Sequence, residues 1–181
     1  MKKESIKTHL KPYSIFQKRK TTINRAFASA LAPNDNYDSQ MLNIALRLLG
    51  QNPDDALICV YCGGHAQTWD HLIGLVKDSQ FRGYGHQIGN LLPCCRDCNS
   101  KKGSKDWQEF IETKVEDEQE QKALKAQIQA YLDGYAKPVD IDKIKTAMPE
   151  EWARYANIKK QIFDLMREAD EIADKIRRDV D

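Results

Sequence analysis

Four cysteines in two C-x-x-C pairs, Cys59/Cys62 and Cys95/Cys98, constrain this chain more than any other feature. Each pair presents two sulfurs from one turn, and four thiolates complete a tetrahedral Zn²⁺ shell with no open position. The spacing therefore predicts a structural zinc rather than a catalytic one. It also forces residues 63–94 to leave and return to one point, so whatever they carry is held between the two pairs. A redox dithiol has no need of a second pair, which ranks that reading below zinc. Cys94 directly precedes Cys95; the pair spacing favours Cys95 and Cys98 as ligands and turns Cys94 into the core. His65 follows Cys62 closely, but with four thiolates available it reads as a histidine beside the metal or on the surface.

Composition narrows the class. The chain has 181 residues, 30% charged and 41% hydrophobic, a globular balance with room for one core or a small core with a helical appendage. No stretch reaches the roughly 18 apolar residues of a membrane span, and no apolar segment follows the basic N-terminus as in a signal peptide. The expected location is cytoplasmic, where paired cysteines are metal ligands more often than disulfides. The net charge of +1 conceals a division. Residues 1–105 hold 15 Lys/Arg against 8 Asp/Glu, and residues 106–181 hold 13 against 19. A basic half suits a polyanion such as DNA or RNA, although charge alone leaves an ordinary solvated surface ahead.

Three regions follow: a basic N-terminal arm and helix over 1–55, a core over 56–112, and an acidic helical region over 113–181. Within 1–32, Glu4 is the sole acid among eight Lys and Arg, which reads as a partly ordered arm or a frayed terminus. Asp38 is placed to cap a helix ending at Gly50. Residues 56–62, 68–73 and 88–92 read as strands, Pro93 closes the last, and a helix opens near Asn99. Ser104 is placed to cap a helix with Trp107, Phe110 and Ile111. Another helical pattern covers Leu124 to Leu132, interrupted by Gly134 and Pro138. Pro149 introduces the last helix, whose positions Ile158, Ile162, Leu165, Ala169, Ile172 and Ile176 alternate by four and three. A hairpin against residues 121–136 is the favoured use of that stripe, and a homodimer seam is the alternative. The expected fold is α+β, a strand–loop–strand–helix unit held by metal and flanked by helices.

Inside the zinc frame lie Asp70-His71, Asn90 and Asn99. Phosphodiester hydrolysis needs a base for water, a cation to offset phosphate charge and support for the leaving oxygen. A neutral imidazole is a base near pH 7, and a carboxylate with an amide oxygen suits Mg²⁺ or Mn²⁺. Neighbours in a strand point to opposite faces, so bringing Asp70 and His71 to one ion requires a curl or bulge there. His86 could touch a phosphate, though a solvent-exposed loop histidine is the plainer reading. Arg82, Lys101, Lys102 and Lys105 are placed for phosphate contact, and Trp69 and Trp107 for the core.

The run D-H, then G-N-L-L-P, then C-x-x-C-N-x-K-K-G resembles the HNH nuclease family, in its zinc-stapled four-cysteine branch, over about residues 57–108. The resemblance implies a ββα-metal fold. It implies His71 as general base, Asp70 and Asn99 as ligands of one catalytic Mg²⁺ or Mn²⁺, and Asn90 as the residue that fixes the loop and orients His71. Asn99 departs from the family's name motif, which ends in His; an amide oxygen is the harder donor and favours Mg²⁺ or Mn²⁺ over softer ions. The expected activity is a DNA endonuclease leaving 5′-phosphate and 3′-hydroxyl ends, of a bacterial restriction or defence type. A phage or mobile-element endonuclease is the alternative, and so is a non-catalytic zinc module that binds nucleic acid or protein.

Overall fold

A computed structural model describes residues 2–180. In chain order its elements are α1 (Ile15–Leu31), α2 (Ser39–Leu48), β1 (Thr68–His71), β2 (Val76–Lys77), β3 (Gln80–Phe81), β4 (Leu91–Cys94), α3 (Arg96–Lys102), α4 (Trp107–Glu112), α5 (Glu118–Tyr135), α6 (Ile141–Ala147) and α7 (Pro149–Val180). No helix among the described residues is long and apolar enough to cross a membrane. The contacts divide the chain differently from the three consecutive regions read in the sequence. One unit is Ala28–Ile141; the other joins the residues up to Phe27 with those from Asp142 on.

In the Ala28–Ile141 unit, β1 and β4 form an antiparallel pair in which Asp70 faces Leu92 and His71 faces Leu91. Helix α3 packs on β1 and completes a ββα arrangement. The core collects Ala45 from α2 and Leu49 just after it, Tyr61, Leu72 and Leu92 from the centre, Trp107, Phe110 and Ile111 from α4, and Ile128 and Tyr131 from α5. The buried Tyr131 hydroxyl donates to the carbonyls of Ile88 and Leu91, the latter at 2.7 Å, and so ties α5 to the turn that enters β4. Gly89 lies so close to α5 that a Cβ there would stand 2.3 Å from the Ala136 nitrogen, which restricts the position to glycine.

Several local expectations change. Residues 56–62 form no strand; an isolated bridge joins Ile58 to His65, and the segment is a turn shaped by the cysteine pair. Pro93 sits within β4 opposite Trp69 rather than closing it. A two-stranded sheet has only edges, so the missing proline N–H costs no ladder bond. Helix α3 begins after Cys95, whose sulfur accepts from the Cys98 amide at 3.3 Å. Asp106, not Ser104, caps α4, accepting from Gln108 and Glu109. Gly134 lies inside α5. Asp38 caps α2 as the sequence indicates, accepting from Gln40 at 2.9 Å and Met41 at 3.0 Å.

The second unit replaces the expected arm with α1. Its apolar positions Phe16, Ile23 and Phe27 face α7, which hides a helical stripe among exposed lysines and arginines. Phe16 meets Phe163 edge-on at 5.7 Å, and Phe27 meets Tyr155 at 5.0 Å, so the helices run antiparallel. The partner of α7 is thus α1, not residues 121–136. Asp170 accepts from the Ser14 hydroxyl at 2.7 Å and from the Ile15 and Phe16 amides at 2.6 and 3.1 Å, satisfying the free N–H groups that start α1. Ile158, Leu165, Ile172 and Ile176 of the heptad stripe remain exposed.

Candidate active site

The two cysteine pairs meet. The Sγ atoms of Cys59, Cys62, Cys95 and Cys98 all lie within 4.8 Å of one another, and Cys62 and Cys95 are 3.8 Å apart. A tetrahedron with Zn–S bonds of about 2.3 Å has edges of about 3.8 Å, so the four sulfurs fit a structural zinc. Gly63, at φ +69°, closes the first turn by donating to the Cys59 carbonyl at 2.8 Å. The Gln51 amide brackets the approach, giving and receiving 3.0 Å bonds with the Ile58 backbone. Cys94 is fully buried, with its sulfur 3.9 Å from Cys59. That contact holds Cys59 down, to about 4, against the opposing effect of burial, and pushes Cys94 up. His65 is exposed and outside the sulfur cluster.

Strand β1 carries Asp70 and His71 next to this knot. The ladder with β4 runs unbroken to His71, where β1 ends, and the chain bends at Leu72 and Ile73, so there is a turn at the strand end but no bulge between Asp70 and His71, and the two side chains leave the strand from opposite faces. Asp70 is only 5% exposed. Its Oδ2 accepts from the Tyr61 hydroxyl at 2.9 Å and pairs with Lys102 Nζ at 2.9 Å. Burial pushes the Asp70 carboxyl above the ordinary carboxylate range, while Lys102 and Tyr61 draw it back. The same Lys102 ammonium donates to the His71 carbonyl at 2.9 Å. Lys102 is 2% exposed, so it is not the phosphate contact that its place in a basic run suggests. Its charge is spent on β1. Neither Tyr61 nor this use of Lys102 stands out in the sequence; the one signal is a hydroxyl placed inside a C-x-x-C pair.

On the other face, His71 Nε2 lies 3.0 Å from His86 Nδ1, with the rings nearly perpendicular. His86 is exposed, but its backbone is fixed on both sides: its N–H donates to Pro33 at 2.8 Å, and its carbonyl accepts from Asp35 at 3.2 Å. Gly85 permits that approach, since a Cβ there would stand 2.0 Å from the Pro33 oxygen. Asn90 is fully buried and ties both histidine neighbourhoods together. Its Nδ2 donates to Ile73 and Gly85 at 3.0 Å each, its Oδ1 accepts from Ile73 at 2.8 Å, and its carbonyl accepts from Leu72 at 2.9 Å. The loop between His71 and His86 is therefore closed by one side chain.

Asn99 is half-buried on α3, one turn before Lys102 and on the same helix face. Lys102 reaches both Asp70 and His71, so that face of α3 is turned to β1. Lys101 is exposed and paired with Asp97 at 2.8 Å; Arg82 and Lys105 are exposed. Trp107 is in the core as expected, whereas Trp69 is 41% exposed.

The pairing of β1 with β4, the helix α3 across them and the four-sulfur frame agree with the sequence comparison. Residues 59–105 match the HNH endonuclease family. No curated protein and no solved structure matches the chain. The HNH segment is of the four-cysteine, zinc-stapled kind. It contains Asp70, His71, Asn90 and Asn99, with Asp70 on β1 and Asn99 on α3, the helix that packs on β1; a carboxylate and an amide oxygen are hard donors of the kind that suit a divalent cation. Both of the Asp70 contacts described above fall on the same oxygen, Oδ2. Helix α2, helix α5 and the Pro33–Asp35 segment lie outside the HNH match, yet they support it.

Proposed function

We propose that this protein is a divalent-metal-dependent endonuclease acting on DNA through its HNH segment. The observation that carries the reading is β1: it holds Asp70 and His71 beside α3, with one face on the Tyr61–Lys102 pair and the other on His86. Asp70 Oδ1 and the Asn99 side-chain oxygen are the atoms that would hold a catalytic Mg²⁺ or Mn²⁺. Bound there, the cation would offset charge on the scissile phosphate and on the departing 3′ oxygen.

His71 serves as the general base. His86 lies 3.0 Å from its Nε2, and the imidazole takes the proton from the attacking water. His86 thus acts on the base rather than on a phosphate. Asn90 keeps the pair together by closing the loop between them. Arg82, Lys101 and Lys105, all exposed, are the phosphate contacts, and the exposed lysines and arginines of α1 are further groups that can meet phosphates. A restriction or other defence role is the biological setting we favour, the one in which cleavage would be confined to particular sequences.

The test is cleavage of supercoiled and linear DNA with Mg²⁺, Mn²⁺ or EDTA, comparing the protein with His71→Ala. Cutting that needs both the cation and His71 is the expected result, with discrete fragments if particular sequences are read. Full activity in His71→Ala, at unchanged zinc content, would overturn the assignment. DNA binding without cutting under any of these conditions would favour the zinc-module alternative.

A further inference from the structure

The HNH match brings no role for Tyr61, and the sequence gives Lys102 the wrong one. We infer that Tyr61 and Lys102 are positioning residues: they fix the Asp70 carboxylate by Oδ2 and so present Oδ1 to the divalent cation. The inference rests on the proposed use of Asp70 as a ligand and adds how that ligand is aimed.

A carboxylate on a strand can turn about its side-chain bonds, and a hard cation needs one oxygen held in place. Here two donors from separate elements converge on a single oxygen. The Tyr61 hydroxyl comes from the first cysteine pair at 2.9 Å, and the Lys102 ammonium comes from α3 at 2.9 Å. Neither donor has room to wander. The Tyr61 ring is buried and meets Phe110 edge-on at 5.1 Å. Lys102 is held by a second bond at 2.9 Å, to the carbonyl of His71, the residue next to Asp70. Both side chains are therefore locked to the strand they orient. Supporting groups that fix a ligating carboxylate commonly change metal affinity by about 10–100-fold when removed.

The arrangement also connects the zinc to the reaction. Tyr61 lies between Cys59 and Cys62, and Lys102 follows Cys95 and Cys98 on α3. The four-sulfur knot fixes the two segments from which the donors come, so its job extends beyond general stability to the direction of one carboxylate.

Tyr61→Phe is the sharpest probe, because it keeps the buried ring and removes the hydroxyl. Mn²⁺ binding to the DNA-free, zinc-loaded protein is read from free Mn²⁺ in its electron paramagnetic resonance spectrum. The expected result is a Mn²⁺ dissociation constant raised about tenfold, at unchanged zinc content and circular dichroism. The Mg²⁺ concentration for half-maximal cleavage rises in step. Lys102→Met is expected to raise the constant at least as far; if it does not fold, Tyr61→Phe still decides. Wild-type affinity in a folded Tyr61→Phe protein would overturn the positioning role. Asp70→Asn separates the two layers: loss of the Mn²⁺ site in Asp70→Asn with no change in Tyr61→Phe refutes the positioning alone. A site that survives Asp70→Asn, or a wild-type protein with no saturable Mn²⁺ site, overturns the metal assignment and the positioning with it.

Discussion

Tyr131 shows how far a single buried hydroxyl reaches. It is fully buried on α5 and bonds two carbonyls that flank Asn90. Tyr131→Phe leaves the ring and removes the hydroxyl from both carbonyls; Ile88 keeps the bond from the Leu91 amide, whereas the Leu91 carbonyl loses its hydroxyl partner, at a cost of about 1–3 kcal/mol, to be read from urea unfolding. Gly85 works by absence. Its place against Pro33 leaves no room for a methyl group, and Gly85→Ala is expected to destabilise the protein by about 1–3 kcal/mol through overpacking. Because the displaced contact fixes the His86 backbone, cleavage should fall further than the loss of stability alone explains. Both residues are ordinary letters in the sequence. What makes them matter is the segment each one meets, and neither segment is near in the chain.

Helix α1 depends on a residue that lies far from it in sequence. Ser14 caps α1 locally, accepting from the Gln17 amide at 3.1 Å, and Asp170 adds the remaining partner; the bond from Ser14, with those from Ile15 and Phe16, holds the Asp170 carboxyl below the ordinary carboxylate range. A depressed carboxylate stabilises above its unfolded pKa, about 3.9, and the contribution disappears as pH falls through the lower, folded value. Asp170→Asn should therefore lower Tm at pH 7, and the gap from wild type should close as the pH is taken below the ordinary carboxylate range. A gap that stayed constant with pH would show that the charge is not what matters. The sequence suggests an arm here because eight basic residues obscure the Phe16, Ile23 and Phe27 stripe. The stripe becomes visible only with α7 alongside it.

For the whole molecule, zinc and charge are the terms to test. One zinc per chain is expected from metal analysis. Its removal by a chelator should unfold the knuckle and abolish cleavage, since no β-ladder replaces it in residues 56–62. Nucleic-acid affinity should fall as salt rises, because Lys and Arg contacts to phosphate release counterions. Lys18→Glu with Arg25→Glu, both exposed on α1, is expected to weaken DNA binding and flatten its salt dependence. Mn²⁺ affinity of the free protein should not change. Unaltered binding would restrict the DNA surface to the HNH segment.

The sequence by itself determined the four-cysteine cluster and the ββα order of the segment, and it nominated Asp70, His71, Asn90 and Asn99 for the proposed site. These are legible because ligand chemistry fixes residue type and spacing over a short stretch. The helix starts at Asp38 and Pro149 were legible for the same reason, since a helix start is a local matter. Only the tertiary structure decided that β1 carries no bulge between Asp70 and His71, that Lys102 turns inward to Asp70, that Tyr61 joins it, and that His86 meets His71. It also decided that α7 packs on α1. Each of these is a choice of partner among distant residues, settled by burial: a lysine in a basic run reads as solvated until a buried carboxylate claims its charge.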